Sequence, residues 1–177
     1  MLKTTAVTTT AAVLALAWAA VPRAAGAEEP VSIIYDTDFG GDCDDAGALA
    51  VLHALADQNE ARILATVSVT GKKYAPGGLD AINTYYGRPD IPIGAPKADI
   101  WTDPPPDRYA EFAAKNFPGD VKTKAHVPTA VSLYRRILSS RPDNSVVIVT
   151  VGYLRNMQNL LNSSPDSHSD LHGTELV

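Results

Sequence analysis

Residues 33–49 read IIYDTDFGGDCDDAGAL, and their interpretation decides the fold. An apolar run, residues 31–35, enters the stretch, and an apolar pattern of helical period leaves it. A strand, a glycine-containing turn and a helix follow from that change of period. Asp36, Asp38, Asp42, Asp44 and Asp45 fall within ten positions. Two unit charges 4 Å apart repel by about 1 kcal/mol in water and about 4 kcal/mol at an effective dielectric of 20. Such a turn needs an answering cation or the start of a helix. A capped helix on an acidic turn would use Asp44 as N-cap and Asp45 at the positive end of the helix dipole. That leaves Asp36 and Asp38, which alternate off the end of the strand. Ligands of open α/β sheets sit at the carboxyl ends of strands, so a hard-cation site is the stronger expectation.

Oxygen-only ligands favour calcium or magnesium over zinc. Asp36, Asp38, Gly41 and Asp44 fit positions 1, 3, 6 and 9 of an EF-hand loop, but Gly47 stands where the bidentate glutamate belongs and no helix enters. The EF-hand is rejected. An aspartyl-phosphate hydrolase loop also opens with Asp-x-Asp after a strand. The absence of a hydroxyl residue at Gly40 and Gly41 leaves a phosphohydrolase as the weaker alternative.

Asp36-Thr37-Asp38-Phe39-Gly40 followed by Asp44-Asp45-Ala46 resembles the N-terminal signature of the inosine-uridine-preferring nucleoside hydrolases, Asp-x-Asp-Pro-Gly-x-Asp-Asp-Ala. Phe39 replaces the proline, and the loop is two residues longer within 41–43. The resemblance implies a Rossmann-like fold, a calcium ion and hydrolysis of the N-glycosidic bond of a ribonucleoside. It implies Asp38 as general base and metal ligand, Asp45 as bidentate ligand, Asp44 on the ribose hydroxyls and Asp36 as support for the loop. The residues 152–156, Gly-Tyr-Leu-Arg-Asn, are similar to a second family turn, whose threonine lends a backbone carbonyl to calcium; Arg155 holds that place. Where the family offers an asparagine to the ribose, Lys72 stands here and becomes a substrate-binding candidate. The resemblance spans residues 31–177 and corresponds to the first half of the family's usual domain. The C-terminal aspartate and leaving-base histidine of the family have no counterpart, so a non-catalytic calcium-binding domain is the competing expectation.

Residues 1–27 carry Lys3, an eleven-residue apolar core at 11–21 and Ala25-Gly26-Ala27, the pattern of a cleaved secretory signal. The apolar run is short for a membrane span. The expected location is secreted or periplasmic, with no membrane attachment after cleavage. Removal of Lys3 and Arg23 would leave 150 residues, enough for one domain, and take the net charge from −5 to −7. That acidity disfavours nucleic acid and anionic membrane as partners. The one cysteine, Cys43, rules out an internal disulfide. Neighbouring carboxylates disfavour its thiolate, so it reads as a small filler.

Apolar stripes predict helices from 45 to 57, 79 to 86, 109 to 116 and 128 to 139, and another opening at 152–156. His53 lies beside the first stripe as a packed or rim residue. Strands are expected at 61–69 and 145–151, both buried and the latter the most β-rich run in the chain, and at 91–94 on a proline-marked edge. Residues 99–107, with Trp101 and three prolines, read as a loop. The segment beyond Asn162 is polar, and His168 and His172 there read as solvated loop residues. Alternating strands and helices predict an α/β fold with a mainly parallel sheet and flanking helices. An unpaired sheet edge where the family's second half would dock predicts aggregation or a homo-oligomer.

Overall fold

The computed structural model describes residues 29–97 and 108–177. The expected leader, 1–27, lies outside the described residues, and so do Trp101 and the rest of its loop. The described chain is an α/β fold around an all-parallel four-stranded sheet in the order β3-β2-β1-β4. The strands are β1 (Val31–Thr37), β2 (Ala61–Ser68), β3 (Ile93–Gly94) and β4 (Val146–Thr150). The α-helices are α1 (Asp44–Asp57), α2 (Ala75–Tyr85), α3 (Arg108–Asn116), α4 (Ala130–Leu138), α5 (Arg155–Leu161) and α6 (Gly173–Leu176). None is long and apolar enough to cross a membrane.

The pleat of β1 sends alternate side chains to two helical layers. Ile33 and Tyr35 join a core with Leu49 and Leu52 of α1, Leu79 of α2 and Ala110 of α3. Ile34 joins the other core, with Leu133, Tyr134 and Ile137 of α4 and Leu160 of α5. Burying a leucine of this kind stabilises the fold by roughly 1.5–3 kcal/mol. Register aligns the carboxyl ends of the strands: Asp36 lies level with Val67 and Thr150, and Thr37 with Ser68. The loops after β1, β2 and β4 therefore open side by side at one end of the sheet.

Local chemistry explains the boundaries. Gly87, at φ +73°, ends the α2 segment, a backbone conformation that side chains disfavour. Asn144, at φ +58°, turns the chain into β4. The Thr129 side chain accepts a 3.2 Å hydrogen bond from Ser132 N and caps α4. Helix α2 begins four residues before the apolar stripe that marked it, because Pro76 fits the first turn and Gly77 and Gly78 lie against Lys122 and Phe39.

Two expectations need correction. The run 145–151 reads as a buried strand, yet β4 lies at the sheet edge and Val147 is 47% exposed. An apolar run reports strand propensity and not the number of neighbouring strands. Cys43 is exposed at the N-cap of α1 and makes no side-chain cap hydrogen bond, so it fills no core space. The polar segment after Asn162 is also tied down. Buried Arg135 donates to Ser163 Oγ at 2.9 Å, Ser169 O at 2.9 Å and Leu171 O at 2.8 Å, and its Nε lies 3.0 Å from Asp166 Oδ1. His168 pairs with Ser132 at 3.1 Å, and His172 caps α6.

Candidate cation and substrate site

Each aspartate of the loop has a different environment. Asp36 is 0% exposed, on the α4–α5 face of β1. Its Oδ2 accepts hydrogen bonds from the Tyr134 hydroxyl and from Asn156 Nδ2, the latter at 2.8 Å. Asn156 Nδ2 also donates to Ser68 O at 3.1 Å, so one amide ties α5 to the ends of β1 and β2. Burial pushes the Asp36 carboxyl up to about 6, against the lowering effect of those two donors. Its Oδ1 has no partner.

The next residue points to the opposite layer. The Thr37 hydroxyl donates to Asp45 Oδ1 and accepts from Phe39 N at 3.1 Å. The Tyr35 hydroxyl donates to Asp45 O at 2.8 Å. Strand β1 thus fixes the first turn of α1 through two hydroxyls. Asp45 is 0% exposed, and its Oδ2 has no hydrogen-bond partner. Burial again is the first cause that pushes its carboxyl up to about 6, with Asp38, Asp44 and Asp42 raising it further. Asp44 occupies the first helical position and not the cap, which is Cys43.

Asp42, Asp44 and Asp45 each offer a carboxylate oxygen, and these oxygens lie within 4.8 Å of one another. Asp42 and Asp44 are exposed. The orphaned Oδ2 of Asp45 suits a hard cation, because a buried carboxylate oxygen without a donor is costly unless positive charge reaches it. The donor set is oxygen only, as calcium or magnesium prefers. Asp38 stands beside this trio, half-buried. A side chain at Gly152 would come within 2.7 Å of Asp38 N and 2.8 Å of its Oδ1, so the loop after β4 closes directly on Asp38.

Lys72 and Lys73 divide. Lys73 is exposed, whereas Lys72 is buried with its Nζ 3.5 Å from Asp38 O. The Arg155 side chain is exposed. The side chain of its neighbour Asn156 ties this turn to the end of β1. Sequence reasoning missed Asn156 and Tyr134. Asn156 ends the Gly-Tyr-Leu-Arg-Asn turn and was within reach of the motif; Tyr134 looked like one more apolar position of a helical stripe.

The aromatic at position 39 has a structural account. Phe39 is buried against Gly78 of α2 and packs edge-on to Tyr109 of α3, with ring centroids 5.0 Å apart. The Tyr109 hydroxyl accepts from Gly40 N at 3.3 Å, and Gly40 takes φ +117°. The start of the loop is therefore anchored through the core, while 41–43 bulge into solvent. Fold and site define a parallel α/β domain with an aspartate loop at a strand end. A scan against protein-family models and a search of curated proteins return no match for this chain.

Proposed function

We propose that the chain is a calcium-dependent hydrolase of N-glycosidic bonds, acting on a ribonucleoside to give ribose and free base. The observation that carries the cation is the buried, unpartnered Oδ2 of Asp45 beside the carboxylates of Asp42 and Asp44. The resemblance of residues 36–46 to the nucleoside hydrolase signature carries the reaction. Asp38 and Asp45, with Asp42 or Asp44, would hold the ion, and the backbone carbonyl of Arg155 would complete it by the same resemblance. Bound calcium would lower the pKa of a coordinated water and hold a sugar diol. Asp38 takes a proton from the attacking water at its carboxylate, as a carboxylate does when glycosyl cleavage passes through an oxocarbenium-like state. Asp44, exposed at the mouth, hydrogen-bonds the ribose hydroxyls. Asp36 supports the loop: its Oδ2 accepts from Tyr134 and Asn156, which hold the strand ends together.

Calorimetric titration of the purified chain with calcium, followed by a ribose-release assay on inosine and uridine, tests this reading. Asp38→Ala is expected to abolish hydrolysis and weaken calcium binding. Unchanged calcium affinity in that variant would remove Asp38 from the ligand set. Calcium binding without ribose release would leave a cation-binding domain without catalysis.

A further inference from the structure

The two edges of the sheet differ. At one edge β3 is two residues long, follows Pro92, and is buried at both positions. A short strand after a proline is how natural sheets blunt a free edge. At the other edge β4 carries no such device. Residues 145–151, Ser-Val-Val-Ile-Val-Thr-Val, hold no charge and no proline. Among the described residues no strand pairs with the outer edge of β4. From 145 to 155 not one residue is buried, although the run is apolar. Val147 is 47% exposed, Tyr153 49% and Leu154 64%.

The uncovered surface extends beside the strand. A groove of about 350 Å³ is lined by Val146, Ile148, Met157, Leu176 and Val177. At the amino end of β4 a second groove, of about 410 Å³, is lined by Pro30, Val31, Ser145 and Val147. A row of unpaired N–H and C=O groups flanked by apolar side chains is answered by a β-strand, which bonds the one and covers the other.

The sequence of β4 selects the strand. Read against its own reverse about Ile148, it sets Val146 across from Thr150, Val147 across from Val149 and Ile148 across from itself. Every pair is β-branched on β-branched, a favourable cross-strand match. A two-fold axis at Ile148 satisfies both edges at once and closes the assembly. A specific interface takes about 800 Å² and 20–30 residues from each partner, or about 30–40 Å² per residue. On that scale residues 145–155 with Pro30, Val31, Met157, Leu176 and Val177 supply about 500–600 Å² a side, roughly 1,000–1,200 Å² in the pair. That reaches the about 1,000 Å² of a biological contact, at the weak end of the range.

We propose that β4 is a self-association surface: two copies of this chain pair antiparallel along β4 about a two-fold axis at Ile148, joining their four-stranded sheets into one continuous sheet. The dimer does not depend on the aspartate loop or on any ion in it.

Sedimentation equilibrium of the full chain from about 1 to 200 μM is expected to show monomer and dimer, with a micromolar Kd and nothing larger. Val147→Lys is expected to raise Kd at least tenfold, because it sets an ammonium on the pairing edge. Val51→Lys, also at an exposed valine but on α1, is expected to leave Kd unchanged. Ile148→Cys in a Cys43→Ser background is expected to give a disulfide-linked dimer on mild oxidation. Residues that face each other across antiparallel strands have Cα atoms about 4.5–5.5 Å apart, within disulfide reach. Should Val147→Lys fail to fold, the Ile148→Cys crosslink decides. A chain still monomeric at the highest concentration would overturn the dimer and leave the edge to a strand of another polypeptide. A dimer indifferent to Val147→Lys, a dimer that Ile148→Cys does not crosslink, or open-ended assembly would overturn it as well.

Discussion

Asn156, near the head of α5, donates a 2.8 Å hydrogen bond to the buried carboxylate of Asp36 at the end of β1, across 120 positions of sequence. The same amide reaches Ser68 O at 3.1 Å. One side chain therefore holds three strand-end segments in a fixed arrangement, and the loops that carry the candidate site inherit their positions from it. Asn156→Ala would leave a buried carbonyl unpaired and strip one of two donors from a buried carboxylate. The expected loss is about 2–3 kcal/mol of stability, read from the shift of the urea midpoint. A loss below about 0.5 kcal/mol would mean that Tyr134 and water replace the amide without strain.

Phe39 links the aspartate loop to the core. It is fully buried, it packs on Gly78 and Tyr109, and its N–H is bonded to Thr37. Phe39→Ala is expected to destabilise the chain by about 3–5 kcal/mol through lost burial and the cavity left behind. It should also loosen the Gly40 contact with Tyr109, raising hydrogen exchange in residues 38–43. Destabilisation with unchanged exchange there would show that the loop holds its shape without the aromatic anchor.

The α1–α2 contact carries a pH dependence of its own. Buried His53 donates from Nε2 to Asn83 Oδ1 at 3.0 Å, since the Asn83 amide nitrogen is already donating to Thr66 Oγ1. Its Nδ1 accepts from Arg88 Nη1 at 3.3 Å, and Arg88 pairs with Asp57. Burial first, and the facing guanidinium of Arg88 next, hold the imidazole below its ordinary 6.5, against the raising effects of Asn83 and Asp57. A histidine with a depressed folded pKa contributes stability that is complete above the unfolded value and is lost as pH falls through the folded value. Unfolding free energy should therefore fall on acidification below 6.5, with a slope of up to about 1.4 kcal/mol per pH unit from this residue. His53→Gln should remove that component, seen as a flatter stability profile on the acid side of 6.5. An identical profile in the variant would place the acid sensitivity elsewhere.

The sheet was legible because its strands are apolar runs bounded by turn chemistry, and the backbone turns at positive φ at Gly87 and Asn144. The aspartate loop was legible because five carboxylates in ten positions break an otherwise ordinary strand–turn–helix pattern. Its division of labour was not. Which of Asp36, Asp38 and Asp45 is buried depends on which helical layer each side chain meets, and that follows from Tyr134 and Asn156, 98 and 120 positions away from Asp36. Lys72 and Lys73 are identical in sequence terms, yet one is buried and one exposed, because β2 ends so that only the first turns inward. The edge position of β4 was hidden for the same reason: pairing is set by the other strands.

Asp45→Asn separates the two costs that the site combines. At neutral pH the carboxylate is ionised although burial has raised it to about 6, so its charge opposes folding in the absence of a cation. The sign follows from linkage: an acid with a raised folded pKa stabilises below the unfolded value and loses that contribution as pH rises through the folded one. Holding a carboxyl at about 6 instead of its ordinary 3.8 corresponds to roughly 3 kcal/mol against the ionised form. An amide nitrogen left without an acceptor where Oδ2 finds no donor offsets part of that gain in the variant. The variant chain without calcium is therefore expected to unfold, at mildly alkaline pH, at the same temperature as the wild type or a higher one. Thr37 still finds an acceptor in the Asn oxygen, so the turn keeps its geometry. Added calcium is expected to raise the melting temperature of the wild type and leave the variant unmoved. A variant that melts lower without calcium, yet responds to calcium as the wild type does, would make Asp45 a structural cap of β1 and α1 and transfer the cation to Asp42 and Asp44 alone.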